Sequence, residues 1–421
     1  MARNKIDVVE GKKVAIVCDW LTNVGGAEKV LLRIHQLFPE APIYTSKYDP
    51  KGIDWFLDAD VRTGYLQKFP SRLRRFLGPL RQRYFSKLDL SEYDLIISVT
   101  GAEAKSVKSG RKMAEKGKKK PKNPNGIHIS YCHVQTQYYW QMYDDYVKNP
   151  GFGILNPIVR FFFRILVSPL RKEDLKAAQS PDYYVTISKY AKEQIEKYYG
   201  REAVVIHPPV ETEDFRRQAS SDVEGLPEVT TEDEGASPVT TGASDPSPKH
   251  TTCLPLNYYV VTSRQVNWKR LDLAVKGCMM AQRKLLVIGE GPEHDNLVKL
   301  AKDSGLVEFL PLMDKKELAK YLAKAKGYIF PSLEPFGIAP VEALAAGCPV
   351  IAFSEGGAKD YIIEGKNGVL FTEQKVTKVA EAILKFEKIK FKREKIPATA
   401  EKFSLERFDK EIKDFVNEKL K

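Results

Sequence analysis

The chain has 421 residues, of which 43% are hydrophobic, and this is enough to fill the cores of two ordinary domains. Its 67 Lys and Arg exceed its 55 Asp and Glu, so the formal net charge is +12 and part of the surface favours anions. The five cysteines are widely spaced without a CxxC pair, which excludes a disulfide scaffold and fits a reducing compartment. No stretch approaches the roughly 18 apolar residues of a membrane span, so we expect neither secretion nor insertion.

Apolar, β-branched stretches alternate with helical patterns through the first half of the chain. The first stretch, 13–18, runs into Gly25 and Gly26 and then into the helical pattern AEKVLLRIHQLF, which predicts a strand, a glycine turn and a helix. Further strands are predicted at 41–45, 93–99, 126–131, 182–187 and 203–207. This alternation predicts an α/β fold with a parallel, doubly wound sheet.

The composition changes sharply at residue 216. Residues 216–256 contain no Phe, Trp or Tyr and are dominated by Ser, Thr, Pro, Gly and acidic residues. We expect a disordered linker or insertion there, and we interpret its acidic cluster at 232–234 as part of a solvated spacer.

A second alternation follows, with strands predicted at 257–262, 284–289, 307–310, 327–330, 349–353 and 368–371. The predicted organisation is a first Rossmann-like unit at 11–215, the linker at 216–256, a second Rossmann-like unit at 257–395, and C-terminal helices at 396–421 that pack back toward the first unit. Ligands of doubly wound sheets sit at the carboxyl ends of the strands, so we expect the active site in a cleft between the two units.

Basic segments stand out in the first unit. Residues 105–122 hold nine Lys or Arg against one Glu, and we predict a surface loop that is either simply solvated or in contact with an anionic membrane. The segments 72–83 and 158–171 interleave cations with bulky apolar residues. Interfacial helices and core helices with snorkelling cations both have this pattern, and the sequence leaves the two interpretations open.

Two carboxylates, Glu334 and Glu342, lie eight positions apart in EPFGIAPVE, directly after the apolar stretch YIFPS and ahead of ALAAGCPVIA and EGGAKD. A turn here would bring backbone amides and a helix N-terminus to the cleft, where a phosphate or a sugar hydroxyl could be held. Glu342 could accept hydrogen bonds from a vicinal diol such as ribose, and Glu334 from a hydroxylated substrate. Isolated surface glutamates are the alternative, which their placement at a strand end disfavours.

Two cations, Arg264 and Lys269, follow the apolar stretch YYVVT. A guanidinium and an ammonium at a strand end suit a diphosphate and would stabilise its charge as a leaving group. Plain surface charges are the alternative.

The glycine turn and one histidine complete the candidate site. Gly25 and Gly26 have no side chains, so a phosphate or sugar could approach the backbone there, although an ordinary strand-to-helix turn would look the same. His133 follows a predicted strand and could donate a hydrogen bond to a sugar or help to move a proton. A structural histidine is the alternative.

Together and in this order, the four elements resemble the retaining nucleotide-sugar glycosyltransferases of family 4, which have the GT-B architecture. The resemblance runs from about residue 13 to residue 386 outside the linker, and EPFGIAPVE with its following glycine segment is its most specific part. Within the family, the chain is most similar to the mannosyltransferase-like branch that assembles surface polysaccharides on lipid carriers. The resemblance implies two Rossmann-like, doubly wound domains facing a cleft.

The resemblance also implies a role for each matching residue. Arg264 and Lys269 would bind the donor diphosphate, and Glu342 would bind the ribose. Glu334 would hold hydroxyls of the transferred sugar and His133 would touch that sugar near the reacting carbon, so these two are the expected catalytic residues. The rest of the donor site would be formed by backbone groups of Gly25, Gly26, Phe336, Gly337 and Ile338.

The family needs no metal or other cofactor, so a nucleotide sugar, with GDP-mannose as the first expectation, is the only co-substrate that the resemblance implies. The family's reaction retains the anomeric configuration by front-face attack, in which the leaving phosphate helps to deprotonate the acceptor. One motif departs from the branch: His133 is followed by Val134, Gln135 and Gln137 where a Thr-Pro pair and an Arg are usual. The departure bears on the preference for acceptor or donor sugar.

Other patterns carry less weight. Asp58 and Asp60 have the spacing of a metal-binding carboxylate pair but follow no apolar strand, and His294 stands where a dinucleotide fingerprint needs its third glycine. The leading hypothesis is a hexosyltransferase, acting on a lipid-linked or growing glycan acceptor, that is cytoplasmic and peripheral on the inner face of the plasma membrane. An epimerase or hydrolase on the same fold would consume the donor without an acceptor. A basic nucleic-acid-binding module would need a reading motif that the sequence lacks, so no nucleic-acid partner is expected.

Overall fold

The first half of the protein is a parallel sheet covered by helices. The computed structural model describes residues 11–71, 77–115, 117, 120–148, 153, 156–221 and 257–421. Within these residues the first sheet has the strand order β3-β2-β1-β4-β5-β6-β7, and all of its pairs are parallel. Its strands are β1 (Val14–Cys18), β2 (Ile43–Thr45), β3 (Val61–Thr63), β4 (Leu95–Thr100), β5 (Ile127–Cys132), β6 (Tyr183–Thr186) and β7 (Val204–Val205).

The central strands are buried along their whole length because helices cover both faces of the sheet. Every residue of β4 and β5 is buried, as expected for the middle of a parallel sheet. The covering and connecting helices are α1 (Gly26–Leu37), α2 (Gly78–Lys87), α3 (Gly110–Glu115), α4 (Tyr143–Lys148), α5 (Asn156–Ala178), α6 (Lys189–Tyr199) and α7 (Thr212–Ser221). Helix α1 is amphipathic, and the face that it turns to the sheet buries Val30, Leu31, Ile34 and Leu37.

The second unit repeats this arrangement. Its sheet has the order β10-β9-β8-β11-β12-β13 and is also parallel throughout. The strands are β8 (Tyr258–Thr262), β9 (Lys284–Ile288), β10 (Val307–Leu310), β11 (Gly327–Phe330), β12 (Val350–Phe353) and β13 (Gly368–Phe371), and the helices are α8 (Leu271–Met280), α9 (His294–Ala301), α10 (Lys315–Lys324), α11 (Ile338–Ala345) and α12 (Val376–Glu387). The predicted α/β class with two Rossmann-like units is therefore confirmed.

The last helix, α13 (Leu405–Leu420), returns to the first unit. Ser404 caps it by accepting a hydrogen bond from the Arg407 amide. Its Asp409 accepts two hydrogen bonds from the Arg33 guanidinium on α1, at 2.7 and 2.5 Å. Phe408 lies against Tyr131 of β5 with 5.9 Å between ring centroids, so one hydrophobic cluster joins the two units.

Some local predictions are wrong. Strand β3 was not predicted, because only three residues form it and two of them are exposed at the sheet edge. Helix α7 continues to Ser221, so residues 216–221 are not linker; Arg216 and Arg217 pair with Glu213 inside the helix. Residues 222–256, which hold the rest of the predicted linker, lie outside the described residues.

The prediction of a surface loop at 105–122 is also wrong for most of the segment. Lys105 is 1% exposed, and its ammonium lies 2.7 Å from Asp174 of α5. Residues 110–115 form α3. Arg81, in the basic segment 72–83, is likewise buried in an ion pair with Glu103. Residues 72–76 of that segment lie outside the described residues. In the described part of the chain, no helix is both long and apolar enough to span a bilayer.

Candidate functional site

The carboxyl ends of β1, β4 and β5 open into a cavity of about 230 Å³ in the first unit. Asp19 follows β1, Gly101 follows β4 and His133 follows β5, and all three line the cavity. Ala27 and Glu28, from the first turn of α1, form another part of its wall, and Tyr138 closes a further side. The cavity is therefore at the edge of the sheet where doubly wound folds bind ligands.

Asp19 shapes this cavity, and the sequence analysis missed it. One carboxylate oxygen accepts hydrogen bonds from the Thr100 hydroxyl and the Gly101 amide, at 2.8 and 3.1 Å, and the other accepts from the Ala104 amide at 2.7 Å. Both oxygens are thus used to hold the loop after β4. A carboxylate directly after a buried strand, in the sequence VCDW, was the available signal.

His133 has a ring nitrogen with no partner among the described residues. Its backbone amide donates to the Thr100 carbonyl at 2.9 Å, which fixes the residue at the end of β5, but its buried Nε2 has no hydrogen-bond partner in the described structure. Desolvation lowers the pKa of His133 to about 4, so the imidazole is neutral at pH 7. A neutral ring that lines a cavity can donate or accept one hydrogen bond from a ligand.

The two units touch beside the glycine turn. Gly25 precedes α1 in an extended conformation, and Gly26 is the first residue of the helix. A β-carbon on Gly26 would lie 3.2 Å from Cδ1 of Ile338, the first residue of α11 in the second unit. The N-termini of α1 and α11 therefore approach each other across the cleft, where the amides of a first helical turn have no partners within their own helix.

Glu334 lies in the loop between β11 and α11 and is paired with Lys269. Their side chains are 2.6 Å apart, and the Ser332 hydroxyl donates to the same carboxylate oxygen at 2.7 Å. The Lys269 ammonium also lies 4.5 Å from the Trp268 ring centroid. Two candidate residues predicted separately, one for a sugar and one for a diphosphate, are thus in direct contact.

Close backbone packing holds the loop that carries Glu334. Gly337 has a φ of +92°, and a β-carbon there would lie 2.6 Å from Phe330 Cζ. A β-carbon on Gly356 would overlap the Glu334 carbonyl, and the Gly357 amide donates to that carbonyl at 2.8 Å. The glycines of EGGAKD therefore allow a second loop to pack directly on the backbone of EPFG.

Phe336 forms the buried support of the same loop. Its ring lies 5.7 Å from the ring of His207, 5.6 Å from that of Tyr361 and 5.5 Å from that of Phe403. The Tyr361 hydroxyl donates to the Phe336 carbonyl at 3.0 Å. Because His207 belongs to the first unit, this aromatic cluster also fixes the loop against the partner unit.

Glu342, on α11, pairs across the cleft with Lys29 of α1. The Lys29 ammonium lies 2.9 Å from the carboxylate, which is 8% exposed for the residue as a whole. Burial disfavours the charge on Lys29, but Glu342 outweighs this effect and raises the pKa of Lys29 above its ordinary value. The sequence analysis did not single out Lys29, because its partner is 313 positions away.

Arg264 follows β8, and its side chain is exposed. The candidate residues thus form two groups: His133 on the cavity of the first unit, and Lys269, Glu334 and Glu342 on the second unit. Gly26 and Ile338 lie between the groups, and the second unit's candidates are not part of the cavity lining. No group of three or more His, Cys, Asp or Glu suited to a metal ion occurs in the described residues.

The second unit matches a family model of glycosyltransferases. Residues 250–403 match the family model for glycosyl transferases group 1, which covers the whole sequence from Arg264 to the EGGAKD segment. This match includes the candidate carboxylates and cations of the second unit.

Curated relatives match over part of their length. A GDP-mannose-dependent α-(1-6)-phosphatidylinositol monomannoside mannosyltransferase of Mycobacterium tuberculosis is 33% identical over 140 residues, which are 30% of this chain and 36% of that protein. A glycogen synthase of the same species is 33% identical over 103 residues, 24% of this chain and 25% of that one. The chain thus spans between a quarter and just over a third of the length of these relatives.

The structural similarity extends over nearly the whole chain. The crystal structure of Anabaena HepE in complex with UDP superimposes with a TM-score of 0.64, covering 96% of this chain and all of that one at 17% sequence identity. This likeness shows that the two folds are the same, and the predicted GT-B architecture is confirmed.

Proposed function

We propose that the protein is a retaining hexosyltransferase of the family 4 type, with a nucleotide-diphosphate sugar as donor. The observation that carries the proposal is the pair of ion-paired carboxylates around the N-terminus of α11: Glu334, in the preceding loop beside Lys269, and Glu342, on the helix and bound to Lys29 of the other unit. His133, whose Nε2 has no hydrogen-bond partner among the described residues, lines the cavity of that other unit. The match of residues 250–403 to glycosyl transferases group 1 supports it.

In the proposed complex, the donor lies along the second unit. Arg264 and Lys269 bind the diphosphate, Glu342 accepts hydrogen bonds from the ribose, and Glu334 accepts them from the sugar. Amides of Phe336, Gly337 and Ile338 supplement the cations at the phosphate, so the charge is neutralised without a metal ion. Lys269 already lies beside Glu334, which would put the diphosphate next to the sugar site.

The reaction breaks the bond between the anomeric carbon and the donor phosphate and forms a bond from that carbon to an acceptor oxygen on the same face. The acceptor's proton passes to the leaving phosphate oxygen. Arg264 and Lys269 stabilise the charge that builds up on the diphosphate. His133 is neutral at pH 7, so its role is to hydrogen-bond the sugar rather than to supply a full positive charge.

We propose mannose as the sugar and GDP as the nucleotide. A relative whose name specifies GDP-mannose matches 30% of this chain at 33% identity. The HepE structure contains UDP, so a UDP-sugar is the alternative donor to be compared. The proposed acceptor is a lipid-linked or growing glycan in surface polysaccharide synthesis, and the proposed location is the cytoplasmic side of the plasma membrane.

Donor protection tests the proposal. The thermal midpoint of the purified protein is measured with GDP-, UDP-, ADP- and dTDP-sugars, for the wild type and for Arg264→Ala and Glu342→Ala. A ligand at about 100 times its Kd stabilises the native state by about 2.7 kcal/mol, which is readily detected. We expect a shift with GDP-mannose that both variants lose and that Lys388→Ala, at an exposed lysine directly after α12, keeps.

The transfer step is tested separately. Donor turnover is followed with and without a lipid-linked glycan acceptor, and the anomeric configuration of the product is read by NMR. A retained configuration and acceptor-dependent turnover are expected. Turnover of the donor to free sugar without any acceptor would support a hydrolase or epimerase, and no shift with any donor would contradict the proposal.

A further inference from the structure

Helix α5 has a large apolar surface that nothing in the described protein covers. Ile158, Phe161, Phe162, Ile165 and Leu166, here called the α5 apolar face, are between 48% and 61% exposed. Their spacing puts them on one side of the helix, whereas Val167, Asp174, Ala177 and Ala178 are buried on the other side. Exposed patches of this kind usually mark an interaction site.

Cations surround this face. Helix α5 has five Lys or Arg against two carboxylates, which gives it a net charge of +3. Arg164 and Lys172 are exposed, and neither pairs with a carboxylate in the described part of the chain. An apolar face with unpaired cations beside it suits a surface that is both apolar and anionic.

The inner side of α5 is bound to the segment that forms the cavity. Asp174 accepts hydrogen bonds from Lys105, Thr136 and the Trp140 indole, at 2.7, 2.8 and 2.7 Å. Arg171 donates to the Tyr139 carbonyl at 2.6 Å. Residues 134–146 contribute Val134, Gln137, Tyr138 and Tyr146 to the cavity wall.

We propose that the α5 apolar face docks the protein on a bilayer that contains anionic phospholipid, and so presents the cavity to an acceptor carried in that bilayer. The second part rests on the proposed function, whereas the docking does not. The same helix reaches the bilayer with one side and holds the cavity segment with the other, so a docked α5 places the cavity at the membrane surface.

A second copy of the chain fits this face less well than a bilayer. Symmetric pairing through α5 would bring Arg164 and Lys172 of both copies into one interface, and like charges there oppose association. An anionic bilayer instead receives the phenylalanines at the level of the acyl chains and the cations at the headgroups.

The experiment is flotation of the full chain with vesicles of equimolar phosphatidylcholine and phosphatidylglycerol, compared with phosphatidylcholine alone. We expect binding to the anionic vesicles, weakened by salt. Replacing Phe161 and Phe162 by Ser should lower the partition coefficient at least about tenfold, because each ring buries apolar area in the interface. Arg164→Gln with Lys172→Gln should lower it about fivefold for each charge.

Matched variants separate docking from a general effect on the fold. Leu312→Ser and Leu57→Ser alter exposed apolar side chains elsewhere, and Lys388→Gln with Lys390→Gln removes two exposed cations from the second unit; we expect wild-type binding from all of these. Thermal midpoints close to that of the wild type show that the serine variants are folded. Equal binding by Phe161→Ser/Phe162→Ser, or dimerisation of the wild type that those substitutions abolish, would overturn the proposal.

Activity distinguishes this inference from the proposed function. With a water-soluble glycan acceptor, the serine variants should turn over the donor at the wild-type rate, and only transfer to an acceptor anchored in vesicles should fall. If no acceptor supports transfer while flotation still depends on Phe161 and Phe162, the proposed function fails and the docking stands. If soluble and anchored acceptors are used equally by wild type and variants, presentation at the membrane is contradicted.

Discussion

Asp174 is the residue whose substitution most directly tests how α5 is fixed to the fold. It is 3% exposed, and its partner Lys105 is 1% exposed. Burial disfavours the charge on Lys105, but Asp174 outweighs this and raises the pKa of Lys105. Asp174→Asn leaves the ammonium without its counter-charge in the interior, and breaking a buried pair in this way costs about 3–5 kcal/mol.

Asp174→Asn should lower the free energy of unfolding more than the loss of any exposed ion pair on the same helix would. Asn has only one accepting side-chain oxygen. Either the Trp140 and Tyr199 donors, which share one carboxylate oxygen, or the Lys105 and Thr136 donors, which share the other, therefore lose their acceptor. Glu173→Gln is the matched control, because Glu173 precedes Asp174 and pairs with Lys176 on the surface, where such pairs contribute about 0–1 kcal/mol. We expect the control to leave the free energy of unfolding nearly unchanged.

The measurement is chemical denaturation followed by circular dichroism and tryptophan fluorescence, which reports on Trp140 beside the pair. The double variant Lys105→Met/Asp174→Leu, which replaces both charges by apolar groups of similar size, should recover the part of the loss that comes from the unpaired ammonium, whereas the Trp140 and Tyr199 donors stay without their acceptor. The reasoning fails if Asp174→Asn and Glu173→Gln have the same midpoint, or if the double variant is less stable than Asp174→Asn.

Three further changes have expected outcomes. Gly337→Ala should lower the thermal midpoint and the donor-induced shift together, since φ of +92° and the 2.6 Å approach to Phe330 leave no room for a β-carbon; an unchanged midpoint would contradict the packing. Lys29→Met should lower the thermal midpoint of the donor-free protein, because the ion pair with Glu342 between the units is lost. It should enlarge the shift given by GDP-mannose, because the donor no longer competes with Lys29 for Glu342; a smaller shift would refute this. His133→Phe should flatten the acid limb of stability against pH. The pKa of His133 is depressed to about 4 in the folded protein, against about 6.5 in the unfolded chain. Its contribution to the free energy of unfolding is therefore complete above about pH 6.5 and is lost as the pH falls toward 4. If the variant and the wild type lose stability equally between these pH values, His133 titrates normally.

The fold was predictable because its strands are buried, apolar and regularly separated. The bounds predicted for the strands at 307–310, 327–330 and 368–371 are those of β10, β11 and β13. Strand β3 has no such signal, since hydrogen bonding to β2 rather than an apolar run defines it. Periodicity detects burial between helices, and it cannot detect a short edge strand.

Ion pairs between residues far apart in the chain could not be predicted from the sequence alone. Lys105 was assigned to a surface loop because its neighbours in sequence are basic and polar, and the carboxylate that allows its burial is 69 positions away. Lys29 and Glu342 are separated by 313 positions. Charge patterns along a chain describe solvated faces well, but whether a given charge is buried depends on a partner that only the fold supplies.

The pairing of the two candidate carboxylates bears on how a donor would bind. Each is neutralised by a lysine, Glu334 by Lys269 within the second unit and Glu342 by Lys29 from the first unit. A ribose bound to Glu342 would compete with Lys29 of the first unit for the carboxylate. A diphosphate bound to Lys269 would compete with Glu334, which belongs to the same unit as Lys269. In the proposed complex, binding of the nucleoside would therefore change a contact that joins the units, and binding of the phosphates alone would not. For this reason the two lysines should respond differently to substitution. Replacing Lys29 should change how the two units are arranged, whereas replacing Lys269 should change the affinity for the diphosphate itself.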